Sequence, residues 1–356
     1  ERMRVVQYDE TTFKLDRMRS LLEALGNPQD KVSLIHVAGT VGKGSTVAML
    51  SSMLRGNGYT VGEYTSPHLT DIRERVVVNG EMISEDSFTD ILKDVVAAAK
   101  KEKVTPTFFE LMTAIAFKYF AEQAIDIAII ETGLGGRLDS TNVITPLISL
   151  ITKIDLDHTN ILGNTVEEIA REKAGIFKTG IPAISAHQTE EVTALLKECA
   201  VELRTEVKVI ANDIEFSARF GGGPDGKQHT RICVITEDSQ YMHIPVPLNG
   251  EHQATNCALA ISAIDQLKKF GYEFDDLDLY NSLAKTSIQG RMETVWERPK
   301  IIVDGAHNPT ALQTLIKSIG AHIPYDSMIC VFGCCQDKDV NGMLQKISLG
   351  ADKIIF

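Results

Sequence analysis

The apolar positions of this chain fall into short runs that alternate with stretches of helical period. KVSLIHVAG (31–39), AIDIAIIETG (124–133), TPLISLITKID (145–155) and IPAISA (181–186) are β-rich, nearly continuous apolar runs, as expected of strands buried on both faces. STVAMLSSMLRGNG (45–58) reads as a helix closing on glycine, and EHQATNCALAISAIDQLKKFG (251–271) as an amphipathic helix ending at Gly271. This order predicts an α/β fold, a mostly parallel sheet with helices on both faces. Residues 206–247 change character, and short β-like pieces around GGGPDGK predict a small antiparallel elaboration. After QGRMETVWERP the alternation restarts: KIIVDGAHN is a strand and loop, TALQTLIKSIG a helix, and MICVFGC and DKIIF two more strands. A domain boundary is expected near 288, giving domains of 1–288 and 289–356. Three predicted strands are thin for a Rossmann-like second domain, so the chain is expected to stop short of its natural C-terminus.

Composition narrows the partners. A chain of 356 residues with 44% hydrophobic and 24% charged residues is ordinary for a globular protein of two domains. Its net charge of −12 repels phosphate backbones and anionic lipid, which argues against nucleic acid and membrane partners. The six cysteines (199, 233, 257, 330, 334 and 335) form no C-x-x-C pair, so free thiols in a reducing cytoplasm are expected. No apolar run reaches the roughly 18 residues of a membrane span, and no signal-peptide pattern opens the chain. The first residue is Glu1 rather than Met, so a fragment is expected.

IHVAGTVGKGST (35–46) follows a strand and opens a helix, the setting of a phosphate-binding loop. It departs from G-x-x-x-x-G-K-[ST]: Val37 stands where the first glycine belongs, and Gly44 follows Lys43. Gly39, Gly42 and Gly44 let backbone N–H groups turn inward, and Lys43 can reach the β- and γ-phosphates. Ser45 or Thr46 can offer Mg²⁺ a hydroxyl. A rival reading comes from Thr152-Lys153-Ile154-Asp155, which fits the [NT]-K-x-D element of GTPases; yet Glu131-Thr132-Gly133 stands where D-x-x-G belongs.

Acidic and imidazole groups gather at other predicted strand ends, where ligands of open α/β sheets sit. Glu131 ends its strand beside the loop and suits Mg²⁺, or merely caps a turn. Asp157 and His158 in DLDHTNILG, and Ser66 in YTSPHL, are ambiguous alone. Thr165-Val166-Glu167-Glu168 is a capping box opening a helix with the apolar stripe Val166, Ile169, Ala170, Ile176 and Phe177. Lys173 falls on that stripe, where a lysine must snorkel, pair with an acid or lose its charge. Asp304 and His307 in DGAHNP end a strand of the second domain and either form a turn or face a nucleotide across a cleft.

G-T-x-G-K-G-S, Y-T-S-P-H-L, E-R-V, T-F-F-E, E-T-G-L-G-G-R-L-D-S-T-N, L-D-H-T-x-x-L-G, E-K-A-G-I, G-x-H-Q-x-x-N, G-R and D-G-A-H-N-P occur in this order. Together they resemble the folylpolyglutamate synthases, including the bifunctional dihydrofolate synthase form, within the Mur ligase superfamily. The resemblance implies a P-loop-type ATPase domain, a smaller Rossmann-like domain, and ATP-dependent amide formation. The folate carboxylate would attack the γ-phosphate of ATP, and L-glutamate would then attack the resulting acyl phosphate. By motif, Gly39, Thr40, Gly42, Lys43, Gly44, Ser45 and Thr46 would hold phosphates, and Asn256, Arg291 and Asp304 the rest of the nucleotide. Ser66 and Glu131 would bind one Mg²⁺, and Glu131 with His158 a second. Lys173 would carry a carbamate (N6-carboxylysine), and His307 would approach from the second domain. Arg75, Thr107, Phe109 and Glu110 would lie near the folate.

Such a reaction needs cations among carboxylates and phosphates, and a site closed to water. Two features depart from the family pattern. Val41 stands where the family usually has Asn, and RVVQYDETTFKLDRM (4–18) fits its opening segment poorly, so the usual first helix is not expected. The runner-up within the superfamily is a UDP-muramyl-peptide ligase; from another class it is the GTPase switch. Whether dihydropteroate is also accepted stays open, and the resemblance favours a monomer.

Overall fold

The computed structural model describes residues 15–222, 228–335 and 338–356. Residues 4–14 of the opening segment and most of the GGGPDGK turn lie outside that set. The central sheet contains β1 (Ser33–Ala38), β2 (Val61–Tyr64), β3 (Val76–Val78), β4 (Glu81–Met82), β5 (Ile127–Glu131), β6 (Ile148–Ile151), β7 (Ala183–Ser185) and β8 (Val207–Val209). Their order is β4-β3-β2-β5-β1-β6-β7-β8, parallel from β2 to β8, with β3 and β4 as an antiparallel edge. The α/β, mostly parallel architecture is therefore as expected.

Helices cover both faces: α1 (Asp16–Ala24), α2 (Lys43–Gly56), α3 (Glu85–Lys101), α4 (Phe108–Glu122), α5 (Thr159–Leu162), α6 (Val166–Ala174) and α7 (Glu190–Glu202), followed later by α8 (Glu251–Lys268) and α9 (Asp276–Leu283). The period of two along β5 divides the core. Ile127 and Ile129 pack toward α2 and α8, while Ala128 and Ile130 pack toward α1, α3 and α4. A third cluster joins Ile151 to α6 and α7.

Three expectations change. A helix does form near the start: α1 buries Met18, Leu21 and Leu22, an i, i+3, i+4 stripe that lies against α3 and α4. The elaboration starts later than 206, because Val207–Val209 pairs in parallel with β7 and extends the main sheet. Only β9 (Glu215–Gly222), β10 (Gln228–Ile235) and β11 (Gln240–Pro245) form the separate antiparallel sheet. That sheet explains the third change, since α8 is buried on nearly every face rather than amphipathic. The main sheet and α2 take one side of α8, and Ile232, Val234, Tyr241 and Ile244 cover another.

Beyond residue 288 lie β12 (Glu293–Glu297), β13 (Lys300–Val303), α10 (Pro309–His322), β14 (Ile329–Val331), α11 (Val340–Ile347) and β15 (Lys353–Ile355). The described strands there number four, not three: β12 and β13 form an antiparallel hairpin, and β14 pairs in parallel with β15. Leu312, Phe332, Met343 and Ile347 make a small separate core. Among the described residues no helix is long and apolar enough to cross a membrane.

Candidate active site

The loop between β1 and α2 is built on the end of β6. The N–H groups of Thr40 and Val41 donate to the Lys153 carbonyl at 2.9 and 3.1 Å. The Thr40 hydroxyl donates to the Asp155 carbonyl at 3.0 Å and accepts from the Asp155 N–H at 3.1 Å. The T-K-x-D segment is thus the floor of the phosphate loop. Gly42 starts α2 with φ +98, a left-handed conformation, and its Cα lies against the Asn256 amide, which leaves no room for a Cβ. The N–H and hydroxyl of Thr46 both donate to the Gly42 carbonyl, and Thr46 is fully buried, so its hydroxyl does not face a cation. The N–H groups of Lys43, Gly44 and Ser45, in the first turn, lack intrahelical partners and create positive potential. Ser45 accepts from the Gln253 amide at 3.2 Å.

Parallel pairing of β1 with β5 sets Val37 opposite Glu131 and brings that carboxylate under the loop. Glu131 is 4% exposed; one oxygen accepts the Ser66 N–H at 3.2 Å and the other lies 3.9 Å from Lys43 Nζ. Burial pushes its carboxyl pKa up, against the pull of Lys43, the Ser66 N–H, Arg291 and Arg75. Lys173 is 4% exposed on α6 and donates to the Gly39 carbonyl at 2.8 Å, the same oxygen that takes Lys43 Nζ at 3.1 Å. Burial foremost, then repulsion from Lys43, bring Lys173 down to about 7, with Asp157 and Asp139 opposing. His158 begins α5 in a left-handed conformation (φ +49), 3.8 Å from Asp157. Burial lowers its pKa, and Asp157 opposes that while Lys338, Lys173 and Lys43 add to it, which favours a neutral imidazole.

Does this donor set suit Mg²⁺? Among the described residues no three His, Cys, Asp or Glu side chains converge as a ready-made cluster. A buried carboxylate whose pKa burial raises, bonded by the N–H of a residue that also carries a hydroxyl, Ser66, is the sparse hard-oxygen set that Mg²⁺ takes when phosphates and water complete its shell. The residues fit one such ion. A second ion at His158 would stand next to Lys173 and gains an oxygen ligand there only if that lysine is modified.

From the second domain, Asp304 follows β13 and accepts the N–H groups of Met292 (2.9 Å) and Ala306 (2.8 Å). His307 is exposed, and its Nδ1 donates to the Gly305 carbonyl at 2.9 Å, which leaves Nε2 for a ligand. Arg291 is close enough to pull on Glu131. Asn256, 3% exposed on α8, donates to Gln253 at 3.0 Å. Sequence reasoning missed Gln253 and its neighbour His252, whose buried Nδ1 has no partner. Both stand in the quoted G-x-H-Q-x-x-N run, the signal that could have found them.

Thr107 caps α4 and forms a capping box with Glu110. Glu110 is 2% exposed and pairs with Arg17 at 2.8 Å. Phe109 packs on Tyr64 in the core, with ring centroids 5.9 Å apart. The exposed ring of T-F-F-E is Phe108, with the Arg75 guanidinium 5.3 Å from its centroid; Arg75 also donates to His68 Nδ1 at 2.8 Å. Thr107, Phe109 and Glu110 therefore stand behind the exposed Phe108 ring, which the buried Arg75 guanidinium meets on its face.

Residues 37–264 match the Mur ligase middle domain, and residues 290–356 match the Mur ligase, glutamate ligase domain. The dihydrofolate synthase/folylpolyglutamate synthase of Bacillus subtilis (strain 168) is 40% identical over 348 residues, covering 96% of this chain and 80% of that protein. Folylpolyglutamate synthase of Lacticaseibacillus casei is 34% identical over 341 residues, covering 93% of this chain and 78% of that protein. A solved FPGS–AMPPCP–folate complex aligns with a TM-score of 0.89 at 32% identity, covering 97% of this chain and 85% of that one. This chain belongs to the folylpolyglutamate synthase/dihydrofolate synthase family of Mur ligases.

Family membership makes the chain an ATP-dependent amide-forming ligase, and the GTPase switch is set aside. The residues that the family resemblance singled out fall into three groups around Glu131. Lys43 of the phosphate loop and the Ser66 N–H contact it, while Lys173 sits on the Gly39 carbonyl of the same loop and His158 lies within reach of the Lys43 and Lys173 charges. Arg291, Asp304 and His307 belong to the second domain. Thr107, Phe109 and Glu110 stand one layer behind the Phe108 and Arg75 face.

Proposed function

We propose that this chain joins L-glutamate to the terminal carboxylate of a reduced folate at the expense of ATP, between two domains meeting near residue 288. The observation that carries this reading is the Gly39 carbonyl, which holds Lys43 and Lys173 together beside the buried Glu131. The Lys43 ammonium, the Lys173 amine and one carboxylate meet where the first turn of α2 presents its N–H groups. Such a site collects phosphates and a second carboxylate.

In this reading Lys43 leaves Gly39 for the β- and γ-phosphates, with Gly39, Thr40, Gly42, Gly44, Ser45 and the Thr46 backbone shaping the loop. Asn256, Arg291 and Asp304 orient the rest of the nucleotide. The folate carboxylate, set by Arg75 and the wall of Phe108, Thr107, Phe109 and Glu110, attacks the γ-phosphorus, and ADP leaves. The glutamate amino group then attacks the acyl phosphate and expels inorganic phosphate, and His307 completes the enclosure from the second domain. Ser66 and Glu131 would hold one Mg²⁺, and His158 with Glu131 and a carbamylated Lys173 a second; these ions supply charge neutralisation between the carboxylate and phosphates. The neutral Lys173 amine can add CO₂ and release a proton, which takes the side chain from neutral to a carbamate of charge −1 and leaves no lysine cation at that position.

The test is phosphate release with ATP or GTP, with and without folate plus glutamate. Release that needs ATP and both co-substrates is expected, and GTP-driven release without them would overturn the reading. A parallel arm with dihydropteroate decides whether dihydrofolate synthase activity is also present. Gel filtration during turnover tests the monomer that the family resemblance favours.

A further inference from the structure

The segment between β5 and β6 runs from Glu131 toward Val143 and crosses the backbone of Lys173. At Gly136 a Cβ would lie 2.7 and 2.8 Å from the carbonyl oxygens of Glu172 and Lys173, so only glycine allows the approach. Next to it, the Arg137 N–H donates to the Glu172 carbonyl at 2.7 Å. How this loop is held therefore sets where Lys173 sits relative to Glu131.

A line of buried polar groups holds it. Asp139 is 2% exposed and accepts the N–H groups of Gly133 (2.9 Å), Leu134 (2.8 Å) and Thr141 (3.0 Å), and also the Thr141 hydroxyl. That hydroxyl has one proton, and the carboxylate takes it. The Thr141 oxygen also lies 2.8 Å from Nε2 of His36 on β1, so Nε2 must carry the proton and donate. His36 is fully buried, and burial foremost, with Lys178 nearby, lowers it to about 3, so it stays a neutral imidazole. Its Nδ1 has no partner. An apolar residue would bury more cheaply on this strand, beside Leu34 and Ile130. What the histidine adds is its bond to Thr141.

We infer that His36 and Thr141 are positioning residues for amide formation: the line His36–Thr141–Asp139 fixes the loop from Gly133 to Thr141, and through it the placement of Lys173 against Glu131. This rests on the assignment of Glu131 and Lys173 to the metal site. Neither residue touches the nucleotide loop, which hangs from Lys153 and Asp155 instead. Loss of the line should therefore impair turnover and the use of magnesium while sparing ATP binding.

Thr141→Val and Thr141→Ser in the full chain separate the hydroxyl from the shape. Thr141→Val is expected to lower kcat about 10- to 100-fold and to raise the magnesium needed for half-maximal rate. The KM for ATP should stay within about twofold. Thr141→Ser keeps the hydroxyl and should restore kcat and the magnesium response. If Thr141→Val does not fold, His36→Gln against His36→Leu repeats the comparison, since the glutamine N–H can replace Nε2–H. Normal kcat and magnesium response in the hydroxyl-free variant, or equal losses in Val and Ser, would overturn the inference. Glu131→Gln and Lys173→Ala run alongside. If these turn over normally, the metal-site assignment fails; if they are dead while Thr141→Val is normal, only the positioning line fails.

Discussion

The loops at Gly39–Thr46 and Asp304–Pro309 each end a strand and open a helix, yet they are held in different ways. The first hangs from the end of β6, packs on α8, and shares its Gly39 carbonyl with two lysines. The second is braced mainly by itself and its hairpin: Asp304 ties Ala306 and Met292, and Asn308 caps α10 through the Ala311 N–H at 2.8 Å. His307 stays exposed. In the proposed reaction the first loop would be the half built before substrate arrives, and the second the half delivered to it. Such a division suits an acyl phosphate, which needs rigid charge placement at the phosphates and a removable cover against water.

The most damaging way to break the built half is Lys43→Ala. Lys43 is the loop's own cation, and a charge-assisted phosphate contact is about twice as strong as a neutral one. Turnover should fall at least about 100-fold while the thermal melt is retained. Near-normal phosphate release in this variant would mean that the loop does not hold ATP.

Next is Lys173→Ala, expected to lose most activity and to regain part of it when small carboxylic acids fill the vacated space. The pH response follows from burial, which brings the ammonium down to about 7. Below that value the lysine is mostly protonated and cannot add CO₂; above it the neutral amine predominates. Carbamate followed by NMR with ¹³C-bicarbonate should therefore grow as pH rises through about 7. An unmodified lysine in the active, magnesium-loaded enzyme would sink the carbamate.

The delivered half is tested by His307→Ala. In the proposed reaction His307 acts only after closure, so nucleotide affinity should stay within about twofold while turnover drops roughly tenfold or more. Equal losses in affinity and rate would make His307 part of the built half instead.

Much of this contrast was legible in the sequence. Glycines, a lysine and a helix start after an apolar run are local signals, and Lys173 on its apolar stripe is a contradiction visible in one helix. What stayed hidden depends on segments distant in the chain. The burial of α8 could not be read, because the sheet β9–β11 that covers it pairs from elsewhere. Helix α1 has only Met18, Leu21 and Leu22 as its buried stripe, a short signal in a segment that otherwise carries Asp16, Arg17, Arg19 and Glu23. β12 is almost wholly exposed, so ETVWE carries no burial pattern to recognise. In T-F-F-E, sequence reasoning chose Phe109, but helix phase turns Phe109 into the core and Phe108 outward.

The smallest expected effect belongs to the wall behind the folate side, and Glu110→Gln sharpens its place. Glu110 has two tasks in the structure: its carboxylate accepts the Thr107 N–H at 2.6 Å in the capping box, and it pairs with Arg17 at 2.8 Å. Glutamine keeps an oxygen for the cap and loses the charge that Arg17 meets. The pair is only partly screened, since the Glu110 side chain is 3% exposed and that of Arg17 23%. A charged hydrogen bond of this kind is worth about 2 kcal/mol. At about 2–4 °C per kcal/mol for domains of 150–250 residues, that corresponds to a fall in Tm of about 4–8 °C. With α4 still capped, Phe108 and Arg75 keep their places, so kcat should stay near normal and the KM for folate should rise no more than about threefold. A stable variant with a KM raised far beyond that would instead place Glu110 in contact with the folate.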